Sequence, residues 1–224
     1  MGYNIRVKIC GVTTPEDARV AVAAGADAIG VNFYPKSPRY VTAVVVNEIL
    51  NALSPFVEAV GVFAAESPQR MVQQALAHPR LRSIQCHGSW PPPADVHPYG
   101  LILAAAIEDA ESVTAVSSYL ERCRLSGQLP IALLADARVT GLYGGTGQTA
   151  PWGLLAKVSI AVPLILAGGL TPENVAEAIR IVRPYAVDVA SGIETAPGKK
   201  DPHRLRRFIE NARKAAVQLP DTKA

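Results

Sequence analysis

Aromatic side chains are scarce in this chain, at 6% of 224 residues, and charged ones make up only 18%. With few rings available, an interior has to be filled by Val, Ile, Leu and Ala, a supply that suits parallel strands buried on both faces. Low charge beside 49% hydrophobic residues excludes the composition of disordered chains. Cysteine is sparse too. Cys10, Cys86 and Cys123 are an odd set without paired-ligand spacing, and adjacent Cys86 and His87 are not spaced as metal ligands. A disulfide framework and a structural zinc are therefore not expected, and free thiols in a reducing cytoplasm are. Long apolar runs are also missing. The most apolar stretch, Val158 to Leu170, is interrupted by Pro163 and Gly168-Gly169 and is too short for a bilayer. The start Met1-Gly2-Tyr3-Asn4-Ile5-Arg6 has no apolar stretch behind a basic head, and Arg6 stands where a myristoylation signal wants Ser or Thr. An unprocessed chain with no membrane partner is expected.

The net charge of +3 is concentrated toward the C-terminus, in Lys199, Lys200, Arg204, Arg206, Arg207 and Lys214. Leu205, Phe208 and Ile209 recur among these at helical spacing, so the segment reads as the solvated face of a helix. No aromatic stacking platform accompanies it, and nucleic acid is not an expected partner.

Short apolar runs recur roughly every 20 to 30 residues, each followed by a polar turn and a segment of helical period. Eight strands are expected, over Arg6–Gly11, Ala28–Phe33, Val57–Phe63, Ser83–Gly88, Leu101–Ile107, Ile131–Asp136, Pro163–Gly169 and Ala186–Glu194. Alternation of strand and helix implies a parallel sheet. Thr14-Pro15-Glu16-Asp17, Ser67-Pro68-Gln69 and Thr171-Pro172-Glu173-Asn174 look like helix starts, with a hydroxyl cap and Pro in the first turn. Pro91-Pro92-Pro93 and Pro98 leave room only for a short or broken fourth helix. Periodicity alone does not separate a closed barrel from an open doubly wound sheet. Eight units with no chain left for a second domain favour a single (β/α)8 TIM barrel over residues 1–224, with Gln218–Ala224 as a frayed tail.

In such a barrel the site lies at the C-terminal strand ends. Here those ends carry Cys10-Gly11, Asn32-Phe33, Gln85-Cys86-His87-Gly88, Asp136, Gly168-Gly169 and Asp188 through Glu194. The loop at Gly145 and Gly147 lacks the third glycine of a dinucleotide fingerprint. Gly192 to Gly198-Lys199-Lys200 has five intervening residues where a phosphate-binding P-loop needs four. Gly168-Gly169 and Ser191-Gly192 fit a simpler role, in which bare N–H groups approach an anion after strands seven and eight, where this fold usually binds phosphate. Asp136 ends an apolar run where an idle carboxylate would be costly. Cys10 reads either as an inert buried thiol or as a reactive one. Arg39 reads as a surface residue or as a fork for a carboxylate, and His87 as a loop histidine or a titrating one.

Taken together, Lys8-Ile9-Cys10-Gly11, Ser37-Pro38-Arg39-Tyr40-Val41, Gln85-Cys86-His87-Gly88, Gly144-Gly145-Thr146-Gly147, Leu166-Ala167-Gly168-Gly169-Leu170 and Asp188-Val189-Ala190-Ser191-Gly192-Ile193-Glu194 closely resemble phosphoribosylanthranilate isomerases. The resemblance spans nearly the whole chain and continues in Pro197-Gly198-Lys199-Lys200-Asp201. It implies an Amadori rearrangement in tryptophan biosynthesis, with no cofactor and no metal, on a phosphorylated aminosugar. By resemblance Asp136 is the general acid that opens the ribose, and Cys10 is the base that takes the C2′ proton; the base need not be strong, although Cys10 would benefit from a lowered pKa near positive charge. Arg39 would hold the anthranilate carboxylate. Gly168, Gly169, Ser191 and Gly192 would hold the phosphate, and Asp188 a ribose hydroxyl. Gln85, His87, Gly144 and Gly145 are expected to complete the binding site. The chain departs from the family pattern at Cys86, usually Leu, at Ala150-Pro151 before Trp152, usually Phe-Asp, and at Asn32, usually apolar. A monomer and a homodimer are both open. Lys8 shares a strand face with Cys10, so a lysine-dependent barrel such as indoleglycerol phosphate synthase is a rival on parity, but it fails on the motif set. A non-catalytic barrel that senses a phosphorylated metabolite is the reading from another class.

Overall fold

The computed structural model describes residues 3–137 and 152–220. Strands β1 (Arg6–Cys10), β2 (Ala28–Asn32), β3 (Glu58–Ala64), β4 (Ser83–His87), β5 (Gly100–Ala106), β6 (Ala132–Asp136), β7 (Leu164–Ala167) and β8 (Ala186–Val189) pair in parallel, in chain order. The closure is direct: β1 lies beside β8, with Lys8 level with Asp188. Each strand starts within a residue of the position expected from its apolar run. Helices α1 (Pro15–Ala23), α2 (Ala43–Asn51), α3 (Pro68–Leu76), α4 (Ala110–Leu125), the one-turn α5 (Trp152–Leu155), α6 (Val175–Val182) and α7 (Pro202–Val217) surround the barrel. Among the described residues no helix is long and apolar enough to cross a membrane.

Two-residue alternation sorts each strand. Val7, Ile9, Ile84, Cys86, Leu133 and Ala135 face outward and join Phe63, Met71, Ile179 and Phe208 in the large core beneath the helices. The intervening positions face the axis. There Val60, Ile102, Ala132, Leu134, Ile165 and Ala186 form a smaller cluster. The inner positions nearest the strand C-termini are polar instead, and these build the site.

Thr14 and Ser67 cap α1 and α3 as expected, accepting from the Asp17 and Arg70 N–H groups at 3.1 and 3.4 Å. Each such cap is worth about 1 kcal/mol. Between β4 and β5 there is only a 3-10 turn, Pro93–Val96, in keeping with the prolines before it. At Thr171 the expected hydroxyl bond is present, Oγ1 accepting from the Glu173 N–H at 3.2 Å, but the helix begins later than expected. Asn174 Oδ1 accepts from the Thr171 N–H at 2.8 Å, closing a turn, and α6 starts only after Asn174, whose side chain makes no cap bond to it. Its side-chain amide competes with the helix for the local backbone.

Three further expectations need correction. Strand eight does not run to Glu194: it stops at Val189, turns through a 3-10 segment at Ser191–Ile193, and resumes as β9 (Glu194–Ala196), antiparallel to β10 (Lys199–Lys200). Lys200 is not part of a solvated helix face, because this hairpin tucks it inward to 3% exposure. The basic helix α7 does bury Leu205, Phe208 and Ile209. The expected frayed tail begins too early, since Gln218 caps α7 and Leu219 packs on the core. Residues 221–224 lie outside the described residues.

Candidate active site

Cys10, Arg39, Gln85, His87, Asp136, Gly168, Gly169, Asp188, Ser191 and Gly192 line one cleft at the C-terminal end of the barrel. Gly144 and Gly145 lie outside the described residues. The side chains come from separate strands and converge because each occupies an inward position of its strand or the loop that follows.

Cys10 is buried, and its sulfur shares the axis with Lys8, two residues earlier on the same face of β1. Lys8 Nζ donates to Asp188 Oδ1 at 2.8 Å, and the pair is almost fully shielded, with side-chain exposures of 3% and 9%. Gly30, the register partner of Cys10 on β2, makes room for both. A Cβ there would lie 3.0 Å from Cys10 Sγ and 3.1 Å from Lys8 Nζ. Burial pushes the Cys10 thiol above its ordinary pKa, opposed by the Lys8 and Lys200 charges and reinforced by Asp188. The expectation of a lowered Cys10 pKa is therefore corrected, because loss of hydration outweighs the nearby cations.

Arg39 resolves as a half-buried residue rather than a surface one. Its Nε and Nη2 donate to the two Glu194 carboxylate oxygens at 2.8 and 2.7 Å, a bidentate pair. That grip uses one edge of the guanidinium, Nε and Nη2. Lys200 supports the same carboxylate: Nζ donates to Glu194 Oε1 at 2.8 Å, to the Cys10 carbonyl at 2.6 Å and to the Ala190 carbonyl at 3.3 Å. Two cations against one anion leave this end of the cleft positive. Gly11, at φ +66, allows the arginine to lie across β1, since a Cβ there would sit 2.3 Å from Arg39 Cδ. Asn32 organises the loop that carries Arg39. Its Oδ1 accepts from the Tyr34 N–H at 2.8 Å and its Nδ2 donates to Ser37 Oγ at 3.2 Å, while Ser37 Oγ accepts from the Arg39 N–H at 3.1 Å. Asn32 thus has a structural account as well as a departure from pattern.

Across the barrel, Gln85 Nε2 lies 2.7 Å from His87 Nε2, so the amide donates to an imidazole protonated on Nδ1. Burial, with help from Lys8, lowers the His87 pKa, and the ring is neutral at pH 7. Gln85 Oε1 is buried with no hydrogen-bond partner among the described residues. Asp136 ends β6 between Ala106 of β5 and Ala167 of β7. Cys86 points away from the cleft into the outer core, where its sulfur meets Ser89, so this departure leaves the pocket wall untouched.

At the rim, Gly168 and Gly169 adopt φ +91 and +64, the left-handed region that favours glycine. Gly192 abuts them: a Cβ there would lie 1.8 Å from the Leu170 carbonyl oxygen. The loops after β7 and β8 are thus in backbone contact and present bare main chain to the same space.

Sequence reasoning does not single out Lys8 as a partner of Cys10, nor Glu194 and Lys200 as supports of Arg39. The parity of Lys8 is a usable signal. No local signal marks Lys200, whose contacts come from the distant ends of β1 and β8.

The family model for N-(5′-phosphoribosyl)anthranilate (PRA) isomerase matches residues 7–211. The N-(5′-phosphoribosyl)anthranilate isomerase of Trichlorobacter lovleyi is 44% identical over 213 residues, covering 94% of this chain and 99% of the relative. Among solved structures, phosphoribosyl anthranilate isomerase from Thermotoga maritima superposes with a TM-score of 0.83 at 39% identity, covering 94% of this chain and all (100%) of that one. A phosphoribosyl anthranilate isomerase in complex with reduced 1-(o-carboxyphenylamino)-1-deoxyribulose 5-phosphate gives a TM-score of 0.78 at 36% identity, covering 94% of this chain and 100% of that one. With a barrel of this register and relatives matched along almost their full length, the chain belongs to the N-(5′-phosphoribosyl)anthranilate isomerase family.

Proposed function

We propose that the chain rearranges N-(5-phosphoribosyl)anthranilate to 1-(2-carboxyphenylamino)-1-deoxyribulose 5-phosphate, the isomerase step of tryptophan biosynthesis, with Asp136 as acid and Cys10 as base. The observation that carries this reading is the set of groups that share one cleft: Arg39, the glycine turns after β7 and β8, Cys10 and Asp136. A substrate with a carboxylate, a phosphate and a sugar that must gain one proton and lose another fits that set.

In this reading Nη1 of Arg39 meets the anthranilate carboxylate. Main-chain N–H groups around Gly168, Gly169, Ser191 and Gly192 meet the phosphate, and Gly144 and Gly145 belong to the same binding site. Asp136 donates its proton to the ribose ring oxygen, the C1′–O bond breaks, and the aniline nitrogen becomes part of a cationic imine. The Cys10 thiolate then takes the C2′ proton. The C–H electron pair forms the C1′–C2′ double bond and neutralises the nitrogen. Moving the C2′ hydroxyl proton to C1′ completes the ketone. Cys10 now holds a proton that Asp136 lacks, and exchange with water restores both. The imine acidifies C2′, so a buried thiolate suffices as base. In this reading Asp188 and Gln85 Oε1 accept from ribose hydroxyls, and His87 orients Gln85.

Growth of a tryptophan auxotroph lacking this isomerase, rescued by the chain, supports the proposal. A soluble, folded protein that fails to rescue, and fails to consume the fluorescent substrate when purified, contradicts it.

A further inference from the structure

We infer that Lys8 is a positioning residue for Cys10: its ammonium, anchored on Asp188, stands against the sulfur and stabilises the thiolate that removes the substrate proton. This rests on the proposed role of Cys10. Three geometric observations carry it. The period of β1 puts Lys8 and Cys10 on one face. The register of β1 with β8 sets Lys8 level with Asp188, whose carboxylate fixes the ammonium at 2.8 Å. Gly30 leaves open a spot 3.0 Å from Cys10 Sγ and 3.1 Å from Lys8 Nζ, so that both side chains end over the same point.

Lys200 also approaches Cys10, yet it is not the counter-ion. Its three N–H groups are directed at the carbonyls of Cys10 and Ala190 and at Glu194. Lys8 gives one N–H to Asp188 and has donors left for sulfur. A buried Lys–Asp pair on its own adds little stability over apolar side chains, so its place beside the proposed base calls for another explanation. The other charges that act on the sulfur are Asp188 and Lys200, with Arg39 on the β2 side. Across the axis are Asp136 and His87, the latter's pKa lowered by burial. In the proposed step the thiol loses its proton to water, giving a thiolate beside a cation. Abstraction returns the sulfur to the thiol with the substrate's C2′ proton, and the ammonium keeps all of its protons throughout.

The test is alkylation of Cys10 by iodoacetamide as a function of pH, followed on the Cys10 peptide by mass spectrometry so that Cys86 and Cys123 do not interfere. Lys8→Met raises the alkylation midpoint by about one to three pH units, Asp188→Asn lowers it, and Lys8→Arg stays near the parent. In turnover, the acid limb of the Lys8→Met rate profile moves up with the thiol, and kcat falls while KM changes little. A folded Lys8→Met protein whose midpoint moves by less than about 0.3 unit overturns the inference. Should Lys8→Met fail to fold, Lys8→Gln decides: a folded Lys8→Gln protein whose midpoint does not rise overturns it. The alkylation readout needs no turnover, so an inactive parent protein would remove the proposed reaction while the thiol titration still judges Lys8.

Discussion

Replacing Gly192 by Ala tests the proposed phosphate contact of the loops after β7 and β8. The new methyl carbon would stand 1.8 Å from the Leu170 carbonyl oxygen, 2.9 Å from its carbon and 3.2 Å from Thr171 Cα. Ordinary contacts begin near 3.4 Å, so the loops after β7 and β8 must part by roughly 1.5 Å. Because the obstacle is backbone, no rotamer relieves it, and overpacking of this kind costs about 1–3 kcal/mol. For a chain of this size that lowers Tm by about 2–4 °C per kcal/mol. The same displacement carries N–H donors beyond the roughly 3.2 Å limit of a useful hydrogen bond. Losing one or two charge-assisted bonds raises KM by about 10- to 100-fold, with a smaller change in kcat. The assay pairs steady-state kinetics with thermal melts in the presence and absence of inorganic phosphate, whose stabilising effect should also shrink. A Gly192→Ala protein with parental Tm, parental KM and an undiminished response to phosphate would refute the reasoning.

Two further predictions concern Arg39 and its partner Glu194. Arg39→Lys keeps the charge but loses the fork shared between Glu194 and the substrate. KM should rise about 10-fold or more in steady-state assays while kcat changes less; a fall in kcat at constant KM would contradict the assignment. Glu194 is pushed up by burial, but hydrogen bonds from Arg39 and Lys200 prevail and hold it below its ordinary pKa of 4.5. Its stabilising contribution is therefore complete above that pH and is lost as pH falls through the lower, folded-state pKa. Melts from about pH 6 to about pH 3 should show a steep acid loss, which Glu194→Gln flattens at the expense of stability near neutrality. An unchanged acid slope in that variant would count against the pairing.

Apolar runs locate all eight strands because a parallel barrel strand is buried on both sides, and that requirement leaves a continuous hydrophobic trace. Glycine turns and the acid at the end of β6 are legible for the same reason: each breaks the trace at a strand terminus. What escapes depends on contacts between distant segments. Lys200 looks like one more basic residue before a solvated helix, and only the fold of β9 against β10 directs it to the Cys10 carbonyl. Thr171 carries the residue pattern of a cap and its hydroxyl does accept from the Glu173 N–H, yet Asn174 reaches back to the Thr171 N–H and α6 starts only at Val175. The direction of the Cys10 pKa is not legible either, because proximity of positive charge is visible in a motif, whereas the depth of burial that outweighs it is a property of the closed barrel.

The pairing of acid and base is tested most directly by purified Cys10→Ala and Asp136→Asn proteins assayed for loss of the fluorescence of N-(5-phosphoribosyl)anthranilate, with circular dichroism to establish folding. The account predicts turnover by the parent chain and a loss of at least about 100-fold in each variant. Near-parental rates in either folded variant, or no turnover by the folded parent, would contradict it.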